Sequence, residues 1–274
     1  MQKASIRRWI EKQAEHGKIT FTLEELKVAF TEMPLAVLRA GLYREKKRKA
    51  IVGVWRGFYL ILPLEYRGVG MMPPGEFIDK LMAYLGRPYC VSLLSAAAIY
   101  GAAHQRPMRF TVMTSNPPLR GTVKGVNRID FIAKRSFGKM IPAELTRRVK
   151  TQYGAMNVTT PEFTALSLVQ YVHASGGLSH VLTVLAELME ACHWKQLPDL
   201  LMKNVPVSAS QRLGYMMDRL LGESAAADSL HRQLTSRFRL HPVPLSPGEV
   251  CNNSDMDAKW KVIINAHPEN DLAD

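Results

Sequence analysis

Apolar positions set the first elements of the chain. In ASIRRWIEKQAEH (residues 4–16), Ile6, Trp9 and Ile10 recur at helical spacing and Gly17 follows as a stop. KITFT (18–22) alternates and predicts a short strand. TLEELKVAF (22–30) opens with a capping box: the Thr22 hydroxyl can accept from the Glu25 amide while the Glu25 carboxylate reaches back to the Thr22 amide. Leu23, Leu26 and Phe30 then share one face. A third helix follows, with Pro34 near its first turn and Leu35, Leu38 and Leu42 as its apolar stripe. IVGVW (51–55) and FYLIL (58–62) predict a hairpin turning at Arg56-Gly57.

Three helices, a small strand and a hairpin predict a winged helix-turn-helix over residues 1–70. Opposite its apolar stripe the third helix carries Ala36, Ala40, Arg44, Lys47 and Arg48, with Arg39 and Tyr43 on the flanks. Small residues early and cations late suit entry into a groove followed by phosphate contact. The candidate DNA-binding residues are therefore Arg39, Tyr43, Arg44, Lys47 and Arg48, with Arg56 at the tip of the wing.

GVGMMPPGE (68–76) is a Gly/Pro-rich joint and the natural boundary between domains 1–70 and 71–274. Beyond it, FIDKLMAYLG (77–86) and YCVSLLSAAAIYGA (89–102) read as helices. RFTVMTS, RIDFIAKR, LTRRVKT and AMNVTT read as strands, the first two separated by the turn-rich NPPLRGTVKGVN (116–127). Thr160-Pro161-Glu162 starts a helix, with Thr160 as cap, Pro161 at the first position and Glu162 in the positive field of the helix end. A run of helices follows to about residue 234, broken at Gly176-Gly177. RFRLHPV (237–243) and KWKVIIN (259–265) close the chain as β-type runs. The predicted fold class is α+β: an N-terminal winged helix-turn-helix, then a larger α+β domain with strands first and a helical bundle second.

Charge sharpens this picture. The 274 residues carry a net charge of +12, of which residues 1–70 supply +7 and 71–160 supply +9, while 161–274 carry −4. Such an excess favours nucleic acid or an anionic surface as partner. Arg128, Lys134 and Arg135 bracket one predicted strand, and Arg147, Arg148 and Lys150 lie on another, forming a second candidate basic surface. Cys90, Cys192 and Cys251 are far apart and form no metal or disulfide pattern, which fits a reducing compartment. The amino terminus lacks a signal-peptide core, and no apolar run approaches ~20 residues. A cytoplasmic protein without a membrane partner is expected.

Chemistry-bearing motifs are absent. There is no phosphate-binding G-x-x-x-x-G-K-[ST], no G-x-G-x-x-G, no H-E-x-x-H and no G-x-S-x-G. Asp130 lies in a strand beside cations but has no second acid at a defined spacing. Asp255 and Asp257 fall in a polar stretch and are expected to be solvated. Neither an enzyme nor a cofactor is expected.

Four segments, YCVSLLSAAAIYGAAHQRP, VKTQYGAMNVTTPEFTALSLVQYVHASGGLSHVLTVLAEL, QRLGYMMDRL and KWKVIIN, occur in the order and spacing of the AbiEi family of antitoxins, which the chain resembles over nearly its whole length. The matching positions are Thr160-Pro161-Glu162, Thr164-Ala165-Leu166, Gly176-Gly177-Leu178, Arg212-Leu213-Gly214-Tyr215 and Trp260. Ser167 departs from a position that is often Asp in that family. The resemblance implies the antitoxin of a type IV toxin–antitoxin system linked to abortive phage infection. Its partners would be double-stranded DNA at inverted repeats upstream of its own operon, which it would repress, and a cognate nucleotidyltransferase-like toxin, neutralised with or without a stable complex. The alternative is a stand-alone winged-helix regulator whose second domain binds a ligand or a protein.

Overall fold

The structure, a computed structural model, describes residues 5–103, 107–124, 127–138, 140–251 and 255–269. Helix α1 (Ile6–Glu15) starts at Ser5, whose hydroxyl accepts from the Arg8 amide. Strand β1 (Thr20–Thr22) runs directly into α2 (Leu23–Ala29), where the capping box forms: the Thr22 amide donates to Glu25 Oε2 at 2.6 Å and the Glu25 amide donates to Thr22 Oγ1 at 3.1 Å. Helix α3 spans Leu35–Lys47, and the hairpin comprises β2 (Ile51–Trp55) and β3 (Phe58–Ile61). The three strands pair antiparallel in the order β1-β3-β2. This is the predicted winged helix-turn-helix. Gly57 turns the hairpin at φ +76°, a backbone conformation that costs glycine little.

Ile6, Ile10, Phe21, Leu26, Leu38, Leu42 and Ile51 form the core of this part, and Trp9 meets Phe21 edge-on at 5.3 Å. The helices approach closely: a Cβ at Gly41 would lie 2.3 Å from the Ile6 side chain. Leu35 was expected in the apolar stripe but is 37% exposed. It occupies the first turn of α3, ahead of Leu38, Gly41 and Leu42, which are buried.

Helix α4 (Leu64–Arg67), a 3-10 turn at Pro74–Glu76 and α5 (Ile78–Tyr84) follow. Contacts group the chain into two compact units, residues 1–89, 108–139 and 148–157 in one and 90–107, 140–147 and 158–274 in the other. The first unit therefore contains the winged helix and much of a second sheet. Met71, Met72 and Pro74 of the Gly/Pro-rich stretch are buried within it.

The larger sheet contains β4 (Tyr89–Val91), β5 (Phe110–Thr114), β6 (Thr122–Lys124), β7 (Asn127–Ala133), β8 (Thr146–Thr151) and β9 (Gly154–Thr159), in the order β6-β7-β5-β4-β9-β8. β5 pairs parallel with β7, and β6 pairs antiparallel with it. Two elements differ from expectation. Tyr89-Cys90-Val91 was read as the start of a helix but is a strand, and α6 covers only Leu93–Ile99. All three strand residues are buried, and a short apolar run buried on both faces has no periodicity to separate strand from helix. β6 lies inside the segment read as turns, where only three residues pair.

The second unit is largely helical. Helix α7 (Pro161–Gln170) opens as predicted, the Thr160 hydroxyl accepting from the Phe163 amide. After Glu162 it carries no charge, and Pro161 through Val169 are all buried, as a helix apolar on every side requires. The elements that follow are α8 (Leu178–Leu188), α9 (Asp199–Asn204), α10 (Val207–Tyr215) and α11 (Ser224–Thr235), with a π-helical segment at Met216–Leu220 between the last two. A three-stranded sheet closes the unit, with β10 (Val243–Pro244), β11 (Met256–Asp257) and β12 (Val262–Ile263) ordered β10-β12-β11. Strand structure thus begins only at Val243 in the run read as β from Arg237, where α11 has only just ended at Thr235. Asp257 is not a solvated acid. It pairs with Arg219 at 2.8 Å and accepts from the Trp260 amide at 2.7 Å.

Candidate nucleic-acid interface

The exposed surface of α3 divides into three strips. Ala36, Ala40, Tyr43 and Lys47 face outward, and the Lys47 ammonium lies 5.1 Å from the Tyr43 ring centre. Tyr43 is 59% exposed, a large side chain presented to solvent. Arg39 and Lys46 lie on the side towards the wing, where both line one cavity with Arg56. Arg44 and Arg48 lie on the opposite side and line a second cavity with Arg7 and Glu45. Arg48 pairs with Glu45 at 3.0 Å. Five cations between Arg44 and Lys49 therefore close the helix where its carbonyl end is negative. Lys49 ends it in the left-handed region at φ +54°.

The wing is anchored. Tyr59 stacks on Phe21 at 5.2 Å, and the Lys46 ammonium sits 5.0 Å from the Tyr59 ring centre. Burial raises the Tyr59 hydroxyl pKa, and the nearby Arg39 partly offsets the shift. The Tyr84 hydroxyl donates to the Arg56 carbonyl at 3.1 Å, which fixes the turn and leaves the exposed Arg56 side chain at its tip.

In the second basic set, two cations are paired and one is buried. Arg148 is committed to Asp79, donating to its two carboxylate oxygens at 2.6 and 2.7 Å, and Tyr89 donates to the same carboxylate at 2.8 Å. The Arg148 bond and burial act in opposite senses on Asp79, and its carboxyl is held below the usual range. Arg128 pairs with Asp130 at 2.8 Å, which takes up the one acid of that strand. Lys134 is buried. Arg135, Arg147 and Lys150 remain exposed. Lys46 was not named as a site residue from the sequence, although the run of cations contained it. Its contact with Tyr59 places it on the wing side.

The positions shared with the AbiEi resemblance are structural in their surroundings. Thr164 donates to the Thr160 carbonyl at 2.8 Å. Glu162 accepts from the His193 amide at 2.7 Å. Tyr100 donates to the Thr159 carbonyl at 2.6 Å, and burial pushes its pKa up to about 12. Gly176 breaks the chain at φ +89°. Arg212 donates to the Pro244 carbonyl at 2.7 Å, tying α10 to β10. Trp260 is fully buried, and its indole N–H donates to Asp218 at 3.0 Å, where Lys259 also donates at 2.7 Å. Burial would raise the Asp218 carboxyl, but those two bonds outweigh it and the net shift is downward. Ser167 is buried, and its hydroxyl has no hydrogen-bond partner among the described residues.

Fold and site together define an α+β protein with a winged helix-turn-helix at its amino end and a bundle built on a buried α7. Residues 89–219 match the AbiEi antitoxin C-terminal domain. No curated protein is a significant sequence match. Among solved structures the chain is similar to the Rv2827c protein from Mycobacterium tuberculosis, at 16% identity and a TM-score of 0.65, with 94% of this chain and 90% of that chain covered. At that identity the likeness is one of fold. Among the described residues no helix is long and apolar enough to cross a membrane, and no cluster of His, Cys, Asp and Glu fits a metal ion.

Proposed function

We propose that the protein is the antitoxin of a type IV toxin–antitoxin system, with two separable activities. It neutralises a nucleotidyltransferase-like toxin through residues 71–274, and it represses its own operon through residues 1–70. The observation that carries the first activity is the similarity of residues 89–219 to the AbiEi antitoxin C-terminal domain. The exposed strip of Tyr43 and Lys47 on α3, flanked by Arg39, Arg44 and Arg48, supports the second.

The DNA step follows from geometry. Ala36 and Ala40 let the backbone of α3 approach the floor of a major groove. Lys47, Arg44 and Arg48 then meet phosphate oxygens, and Arg56 reaches the backbone from the wing. Phosphate neutralisation supplies most of the affinity, so binding falls steeply with salt. Neutralisation requires no covalent step by this chain, and a cytoplasmic location suits both activities.

The test is growth. Cells expressing the neighbouring nucleotidyltransferase-like gene are followed with and without this protein, while a reporter under the operon's own promoter is read in parallel. Rescue of growth with repression of the reporter supports both activities. Loss of one alone shows which half of the reading is wrong.

A further inference from the structure

The exposed surface of α3 lacks the side chains that read half of the bases. Asn and Gln pair with adenine, and Asp and Glu accept from cytosine. The helix sequence LAVLRAGLYREKK contains no Asn, Gln, Asp, Ser or Thr. Its one acid, Glu45, is buried and accepts from Arg48 at 3.0 Å. Of the side-chain contacts that distinguish bases in a major groove, two remain: a cation on guanine, and an apolar group on the 5-methyl of thymine.

The helix keeps these two apart. Ala36, Ala40 and Tyr43 follow at four- and three-residue spacing, so they share one outward strip, and all three are exposed. Leu35 and Val37 are exposed beside its start. Arg39 lies on one flank of the strip and Arg44 on the other, while Lys47 continues it at the carboxy end. The middle of the face is therefore apolar and its margins are cationic. That complements a groove whose rims are phosphates and whose floor is base edges. An apolar strip left open to water marks a contact surface. Tyr43 is the largest side chain on it. The Lys47 ammonium lies 5.1 Å from the Tyr43 ring centre, so ring and cation enter a groove together.

We infer that α3 reads its operator through thymine methyl groups, and that Tyr43 is the residue that meets them; the inference rests on the DNA-binding reading above. The methyl is an apolar knob on the groove floor, and covering it with the Tyr43 ring removes apolar surface of both from water. Ala36 and Ala40 carry too little side chain to hold that floor away. Phosphate contacts from Arg44 and Lys47 position the helix and carry no sequence information. Direct reading along the strip therefore falls to Tyr43.

Uracil differs from thymine only in lacking this methyl. The DNA immediately upstream of the gene is amplified once with thymidine triphosphate and once with deoxyuridine triphosphate, and a coding fragment of equal length is prepared in both forms as a non-specific reference. Full-length wild type, Tyr43→Phe and Tyr43→Ala are titrated with each duplex at several salt concentrations. Wild type is expected to bind the upstream thymine form most tightly and to lose several-fold in affinity on the uracil form, with an unchanged salt slope because no phosphate contact is lost. Tyr43→Phe keeps that ratio, while Tyr43→Ala binds the two upstream forms alike. Both variants alter an exposed side chain, and circular dichroism checks that the fold is kept. Equal wild-type affinity for the two upstream forms, both tighter than the reference, would overturn the inference and leave the DNA reading standing. So would a thymine preference that Tyr43→Ala retains in full, or a loss by Tyr43→Phe on every duplex alike, which would make the hydroxyl a phosphate contact. No preference for upstream DNA in either form would remove the operator reading and the inference together.

Discussion

Gly214 of α10 lies directly against the ring of Trp260, so closely that a Cβ at residue 214 would fall 2.0 Å from a ring carbon. Trp260 is the largest fully buried side chain of the chain's described residues. Gln211, one turn earlier, donates to the Trp260 carbonyl at 2.8 Å and the His241 carbonyl at 2.9 Å. A helix that gives up a side chain thereby gains a tryptophan, and the carboxy-terminal strands are fixed to α10.

Gly214→Ala is therefore expected to destabilise the protein by at least the roughly 1–3 kcal/mol of ordinary overpacking, because an indole ring locked by Asp218 cannot move aside cheaply. Trp260→Ala is expected to cost about 3–5 kcal/mol. Denaturant midpoints of the full-length variants check both, and a wild-type midpoint for Gly214→Ala would show that the ring is free to shift.

The capping box offers a smaller, local test. Thr22→Ala removes the acceptor for the Glu25 amide and is expected to cost about 1 kcal/mol. Thr22→Ser keeps the hydroxyl and should restore most of it. Chemical denaturation of the two variants side by side distinguishes a cap from a general loss of packing.

Acid sensitivity is expected at Asp79. Its carboxyl is lowered chiefly by the bond from Arg148, against the opposing effect of burial. A carboxyl depressed in the folded state adds stability that is fully present above the ordinary carboxylate range, ~3.9, and is lost as pH falls through the lowered value. Both partners are partly exposed, so the effect is modest. Melting temperature against pH should fall less steeply at acid pH in Asp79→Asn than in wild type, and parallel curves would remove Asp79 as a source of acid sensitivity.

Replacing Arg44 and Lys47 together with Ala is expected to weaken duplex binding and to reduce the salt slope by about two, one per lost phosphate contact. Binding isotherms at several salt concentrations read this directly. A double variant that binds as tightly as wild type would move the recognition surface off this face of α3.

What the sequence made legible was what neighbouring residues decide. The capping box at Thr22 and Glu25, the turn at Arg56-Gly57 and the helix start at Thr160-Pro161 are all written within four residues. The exposed face of α3 was legible too, because helical spacing alone sorts Tyr43 and Lys47 from Leu38 and Leu42. Distant partners decided the rest. Val91 is a strand residue because it pairs with Val158, and β6 exists because Thr122 lies opposite Ile129. Arg148 and Arg128 read as free cations until Asp79 and Asp130 were placed beside them. Lys46 met the wing only when the fold placed its ammonium over the Tyr59 ring.

The central claim is antitoxin activity, and growth rescue tests it most directly. Cells carrying the gene adjacent to this one are grown alone, with the full-length protein, and with its Arg44→Ala/Lys47→Ala variant, every copy under an unrelated promoter. Arrest by the gene alone, relieved by wild type and variant alike, is the expected result, since neutralisation would not need the DNA-binding face. A gene that leaves growth untouched, or an arrest that the full-length protein fails to relieve, would contradict it.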